Sequence, residues 1–189
     1  MGTNDFNIIE LRPNNLPLAL LTSCASLYCQ IWREPPWNED FWQEDEVIKN
    51  IKTELAKESA KGFIALNPNQ DSGSDGQVIA FTWGYRINQE SMRQISGDNK
   101  LDGFFNQGKI SFYIDELGVG SGYRHQGLGH RLTSKLINWV KQTDHDLIFL
   151  RTEVEARAAR HLYSELGFKE LDIRDTKERQ RSYWLLQTR

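Results

Sequence analysis

The sequence predicts a mixed α/β fold, and three observations carry that expectation. Short runs rich in β-branched and aromatic residues recur along the chain, other stretches place apolar residues three and four apart as on one helix face, and the two kinds of segment alternate. The 189 residues, 39% apolar and 11% aromatic, can bury a substantial core and suit a single domain over 1–189.

Phe6 to Leu11 reads as a first strand. Pro17 to Ile31 makes the first helix, closed by Pro35 and Pro36, because proline cannot continue the hydrogen-bond ladder and restricts the residue before it. Glu44 to Ala60 is a second helix, with Val47, Ile48, Ile51 and Leu55 spaced for one buried face. Strands over Gly62 to Leu66 and Val78 to Ile87 flank residues 67–76, a polar run of turn formers that reads as a mobile hairpin tip. Asn88 to Gly108 reads as irregular. Ile110 to Val119 is a strand, and Leu128, Leu132, Leu136 and Val140, four apart, mark an amphipathic helix. Leu147 to Thr152 is a strand, and Ala156 to Leu166 a helix that stops at Gly167, where a left-handed C-terminal cap is common. A strand follows Gly167-Phe168, Arg181 to Leu186 closes the chain as another, and there is no internal repeat.

The stretch Arg124-His125-Gln126-Gly127-Leu128-Gly129 joins a strand to a helix. A Gly-rich turn feeding a helix N-terminus offers unpaired backbone N–H groups and the positive end of the helix dipole, which together favour phosphate. A P-loop would continue with Gly-Lys-Ser/Thr, whereas His130-Arg131-Leu132 follows Gly129. A dinucleotide fingerprint starting at Gly118 or Gly120 would place Tyr123 or His125 where its last Gly belongs. What remains is Val119-x-x-x-Tyr123-Arg124-x-x-Gly127-Leu128-Gly129-x-x-Leu132, and it resembles the signature of the GNAT superfamily of N-acetyltransferases, whose Arg/Gln-x-x-Gly-x-Gly/Ala loop wraps the pyrophosphate of acetyl-coenzyme A. The segment from Ala156 to Phe168, with Tyr163 shortly before Gly167-Phe168, is similar to the family's second signature. The resemblance covers residues 110 to 187 well and the N-terminal half in outline.

The resemblance implies a central mixed, mostly antiparallel sheet of about seven strands with helices on both faces, whose parallel fourth and fifth strands splay apart. It implies acetyl-CoA as co-substrate and no metal. The coenzyme's arm would run along Leu117, Gly118 and Val119 in the manner of an added strand, and its phosphates would meet Arg124, His125, Gln126, Gly127, Leu128, Gly129 and His130. One departure stands at position 156, where Ala replaces the Asn that often holds the pantetheine arm in this family.

An acetyl thioester is already activated, so the protein must present a neutral amine, stabilise the oxyanion and protonate the departing thiolate. The motif strand supplies Asp115 and Glu116 as candidate bases. Regular alternation puts Tyr113, Asp115, Leu117 and Val119 on one face and Glu116 on the other, so both carboxylates share a face only if a bulge intervenes. Asp115 ranks first, because some acetyltransferases of the family carry an acidic residue four before the position of Val119; a solvated strand carboxylate is the alternative for either. Tyr163 occupies the family's place for the general acid, against the alternative of a half-buried helix tyrosine. Backbone N–H near Leu117 or Gly118 would meet the oxyanion. Cys24 and Cys29, five apart on a helix, read as buried thiols, so transfer is expected in a ternary complex without an acyl-enzyme.

None of the four histidines is spaced as a metal ligand, and Asp144-His145-Asp146 reads as an exposed turn. Trp32, Trp37, Phe41 and Trp42 surround an acidic, Pro-stiffened loop that reads equally as an acceptor wall or as core. The expected acceptor is a primary amine, a small molecule in preference to a protein, with a non-catalytic coenzyme-A-binding protein as the rival reading. A net charge of −3 argues against a nucleic-acid partner. Leu16 to Ile31 is too short for a typical membrane span, and Asp5, Glu10 and the single Arg12 ahead of it argue against an export signal. The expected location is cytoplasmic, away from membranes, and a homodimer is left open.

Overall fold

A computed structural model describes residues 6–12, 16–68, 76–105, 108–178 and 180–188. Among these the chain forms strand β1 (Asn7–Leu11), helices α1 (Leu18–Arg33) and α2 (Glu44–Leu55), strands β2 (Lys61–Leu66) and β3 (Val78–Ile87), and helix α3 (Gln89–Ser96). Strand β4 (Ser111–Val119), helix α4 (Leu128–Lys141), β5 (Leu147–Glu153), α5 (Arg157–Glu165), β6 (Lys169–Arg174) and β7 (Arg181–Gln187) complete it. The strands make one seven-stranded sheet in the order β1-β2-β3-β4-β5-β7-β6, in which only β4 and β5 pair in parallel.

Helices α1 and α2 bury Leu21, Cys24, Tyr28, Trp32, Val47 and Ile51 against Ile64, Phe81 and Trp83 on one face of the sheet. Helices α4 and α5 bury Leu128, Leu132, Leu136 and Tyr163 against Phe63, Ile114 and Trp184 on the other. The expected spacings of α2 and α4 therefore mark buried faces. Both cysteines are buried free thiols.

Three local expectations change. Helix α2 ends at Leu55, because the backbone turns at Ala56 and closes short bonds from Lys57 and Ala60 instead of continuing. The stretch read as irregular contains α3, whose N-terminus is capped by the Asn88 side chain accepting from Ser91 N–H at 2.8 Å and whose end is marked by left-handed Gly97. With Met92 and Ser96 as its only buried residues, its periodic signal is faint. His145 is 1% exposed, not in an exposed turn: its ring packs edge-on against Phe112 and its Nδ1 meets Thr143 Oγ1 at 2.6 Å. Residues 69–75 of the expected hairpin tip lie outside the described residues.

The feature that aims the site is a β-bulge. Register runs Trp83↔Glu116 and then Gly84↔Ile114, so Asp115 is the extra residue on β4. The bulged strand comes so close to Gly84 that an added Cβ would lie 2.2 Å from the Tyr113 carbonyl oxygen and 2.6 Å from the Phe112 ring. Only a residue without Cβ fits there. Gly84→Ala is expected to lower stability by about 1–3 kcal/mol through forced displacement of β4. Urea unfolding should show it as a lower midpoint at unchanged slope.

Candidate active site

The β4–β5 ladder ends early. Ser111, Phe112 and Tyr113 pair with Leu147, Ile148 and Phe149, and beyond Tyr113 the two strands part. The edge of β4 that faces β5 over Leu117, Gly118 and Val119 therefore carries backbone groups without a strand partner on that side, as the arm of a coenzyme requires.

At the end of this edge stands the turn into α4. His125 and Gly127 both take left-handed backbone, with φ of 61° and 75°. At Gly127 the absence of Cβ removes the strain of that conformation, and nothing lies within 4 Å of where a Cβ would be. The first α4 hydrogen bond is Arg131 N–H to the Gly127 carbonyl at 3.0 Å, so the N–H groups of Leu128, Gly129 and His130 have no partner within the helix. A groove of about 610 Å³ opens over them, lined by Leu117 to Val119, Tyr123 to His125, Gly127 to His130, the start of α5 and Pro35 to Trp37. Its donors and open cradle fit a diphosphate. Ala156 caps α5 without a side-chain bond and lines the same groove.

Two expected coenzyme contacts are already engaged. Arg124 donates from Nε to the Val119 carbonyl at 3.0 Å and pairs through Nη1 with Glu34 at 2.6 Å. The Gln126 amide donates to the Gly122 carbonyl at 3.2 Å. Arg124 thus ties the phosphate loop to the end of α1.

The bulge brings both candidate carboxylates to the α1/α2 side of the sheet, which corrects the alternation expected for a regular strand. Tyr113 stays on that side with Asp115 and Glu116, whereas Leu117 and Val119 pack on the α4/α5 side, in the cluster that holds Leu128 and Tyr163. Tyr28 donates to Glu116 at 3.0 Å, and Tyr85 donates to Asp115 at 2.8 Å. Burial first, then the charges of Asp115 and Glu54, push the Glu116 carboxyl well above the usual range against the Tyr28 bond and Arg151. Sequence reasoning missed Glu54, on the last turn of α2, which accepts from the Trp83 indole at 2.6 Å and lies close enough to Asp115 to share a hydrogen bond.

Tyr163 is 6% exposed between Phe168 and Trp184. Burial and the charge of Glu116 raise its phenol, so it stays protonated at neutral pH, the state a proton donor needs. Glu116 acts on Tyr163 from the other side of the sheet, and neither of them, nor Asp115, lines the groove over the α4 turn.

The aromatic loop divides between both readings. Trp32 stacks on Tyr28 at 4.3 Å within the core, whereas Trp37 stacks on Trp32 and lines the groove over the α4 turn, and Phe41 is 62% exposed. Trp37 and Phe41 also line a second groove of about 530 Å³ with Glu39, Glu153, Thr176 to Glu178 and Arg181. Arg181 bridges Glu39 at 2.6 Å and Glu153 at 2.8 Å, joining the α1–α2 loop to β5 and β7. Among the described residues no cluster of three or more His, Cys, Asp or Glu is arranged for a metal, and no helix is long and apolar enough to cross a membrane.

The family model for the acetyltransferase (GNAT) family matches residues 23–168. The chain belongs to that family. Its members take the acetyl group from acetyl-CoA, and the seven-stranded sheet with parallel β4 and β5 is the one the resemblance implies. One curated relative, N-alpha-acetyltransferase 30 of Xenopus laevis, is 41% identical over 56 residues, which is 30% of this chain and 20% of that protein. The chain thus matches about a fifth of the length of that relative. The fold is shared with Arabidopsis thaliana NAA60 in complex with acetyl-CoA, at TM-score 0.66 and 12% identity over 96% of this chain and 98% of that one. It is also shared with aminoglycoside 6'-acetyltransferase type Ii, at TM-score 0.64 and 16% identity over 97% of each chain.

Proposed function

We propose that this GNAT protein transfers the acetyl group of acetyl-CoA directly to the α-amino group of a polypeptide. Support for the chemistry comes from the unpaired N–H groups that start α4 beside the free β4 edge, together with a carboxylate pair on β4 and a buried protonated phenol on α5. Leu128, Gly129 and His130 N–H groups hold the diphosphate, and the β4 edge orients the arm. Asp115 and Glu116 take the proton from the acceptor ammonium. Backbone N–H near Leu117 or Gly118 faces the developing oxyanion, and Tyr163 supplies a proton to the departing thiolate. With both thiols buried on α1, no cysteine stands ready to form an acyl-enzyme.

Support for a polypeptide acceptor comes from the stretch shared with N-alpha-acetyltransferase 30 and from the second groove, which is open to the surface between the α1–α2 loop and the β6–β7 connection. A small-molecule amine, the expectation from sequence, is the second reading, favoured by the fold shared with aminoglycoside 6'-acetyltransferase type Ii. The test is thiol release from acetyl-CoA across peptides with free N-termini, N-terminally blocked lysine peptides, polyamines and aminoglycosides. Peptides with free N-termini are expected to react fastest. Faster turnover of a small amine selects the second reading. Coenzyme A should raise the melting temperature, since a ligand that binds only the native state stabilises by about 2.7 kcal/mol at one hundred times its Kd. Stabilisation without thiol release for any amine would leave a coenzyme-binding protein that does not turn over.

A further inference from the structure

Glu54 stands outside the residues used so far, yet three features of its surroundings are those of a working acid–base group. It comes from a different element than the β4 pair, it is only half buried, and its Oε2 is held by the Trp83 indole N–H at 2.6 Å. Its carboxyl faces Asp115 closely enough to share a hydrogen bond whenever one of the two is protonated. The groups facing this cluster are Asp115 and Glu116 from β4, Trp83 and Tyr85 from β3, Tyr28 from α1, Lys57 just past α2 and Arg151 from β5. Lys57 Nζ lies 3.4 Å over the Tyr85 ring, so the nearest cation is tethered beside the cluster and not within it.

We infer that Glu54 is the proton store of the acceptor site: it receives through Asp115 the proton that the acceptor ammonium gives up, and releases it to solvent. This rests on the acetyltransferase reading above and adds a residue and an acceptor class to it. In the step, an ammonium N–H bond breaks and leaves its electron pair on nitrogen, the proton binds an Asp115 oxygen, and it moves across the shared hydrogen bond to Glu54. The amine becomes neutral and one carboxylate becomes a carboxylic acid, so charge and atoms balance without a further reactant. Glu54 acts through Asp115 and is therefore a positioning residue for the proton, not one that touches the amine.

Burial and the charge of Asp115 push the Glu54 carboxyl up to about 7, against the Trp83 bond and Lys57. An α-amino group, with a pKa of about 7.7–8.0, gives its proton to such a base at little cost, whereas a lysine amine at about 10.4 does so far less readily. The cluster therefore suits α-amines over lysine side chains and polyamines. The sign of the pH dependence follows. The base works ionised, so turnover rises with pH through about 7 in the wild-type chain.

The experiment is the pH profile of kcat on a free-N-terminus peptide for wild type, Glu54→Gln, Glu54→Asp and Trp83→Phe. Glu54→Gln is expected to lower kcat at pH 8 by about tenfold or more with KM for acetyl-CoA unchanged, and to move the rising limb to lower pH by removing a negative charge beside Asp115 and Glu116. Glu54→Asp should restore the limb. Trp83→Phe removes the donor that favours ionised Glu54 and should move the limb the opposite way, which a merely structural role would not do; this arm also decides the matter should Glu54→Gln fail to fold. A Glu54→Gln profile that superimposes on wild type, or a limb that moves the same way in both variants, overturns the inference and leaves the acetyltransferase reading standing. A wild-type chain that turns over no amine overturns both.

Discussion

Glu116→Gln is expected to lower kcat by about 10² to 10⁴, the range over which a positioned proton acceptor contributes to catalysis. The side chain keeps its shape and its bond from Tyr28, since the amide oxygen still accepts the hydroxyl at the 3.0 Å observed for the carboxylate. What it loses is the carboxylate whose charge is felt by Asp115, the proposed first acceptor, and by Tyr163. Binding of the coenzyme, which we propose rests on amides of the α4 turn, should not change. Steady-state kinetics together with a thermal shift by coenzyme A separates the two effects. A variant that keeps kcat within twofold would show that Asp115 and Glu54 carry the proton without Glu116. Stability should be kept or slightly raised, because an uncharged side chain relieves the repulsion that Asp115 and Glu54 exert on this half-buried carboxylate.

Tyr163→Phe is expected to cost about 10² in kcat, the lower end of the same range, because a thiolate is a tolerable leaving group even without a proton donor. The ring's packing survives: its neighbours Phe168 and Trp184, at 5.9 and 6.2 Å between centroids, contact the aromatic face and edge that phenylalanine also has. Stability should therefore stay close to wild type, and KM for acetyl-CoA should hold. An unchanged kcat would remove Tyr163 from the chemistry and leave it as a core residue of the α5 face.

Much of the coenzyme side was legible in the sequence. The turn from Arg124 to Gly129 and the helix it starts depend on backbone conformations and a dipole that contiguous residues determine, and Gly127 does adopt the left-handed conformation such a turn uses. The apolar spacing in α2 and α4 translated directly into buried faces, because a helix face is a local periodicity. Where the signal was weak the reading failed, as in α3, whose caps are strong but whose apolar residues are few, and at His145, a polar residue drawn into the core by Phe112 and Trp139.

The acceptor side was far less legible. Alternation along β4 separates Asp115 from Glu116, and only the cross-strand register, with a residue lacking Cβ at Gly84, turns both to one side. Tyr28 reaches Glu116 across 88 residues of sequence, Tyr85 reaches Asp115 across 30, and Arg181 reaches Glu39 across 142. Glu54 read as one more charge on an amphipathic helix.

The amino-acid order alone determined all the strands and every α-helix but α3, their α/β alternation and the Gly-rich turn into α4, since each depends on neighbours within a few residues. The three-dimensional fold decided which carboxylates meet, how burial raises the proton affinities of Glu54 and Glu116, and where the β4–β5 gap opens. Those properties depend on register, burial and charge proximity between segments far apart in the chain, and no local pattern encodes them.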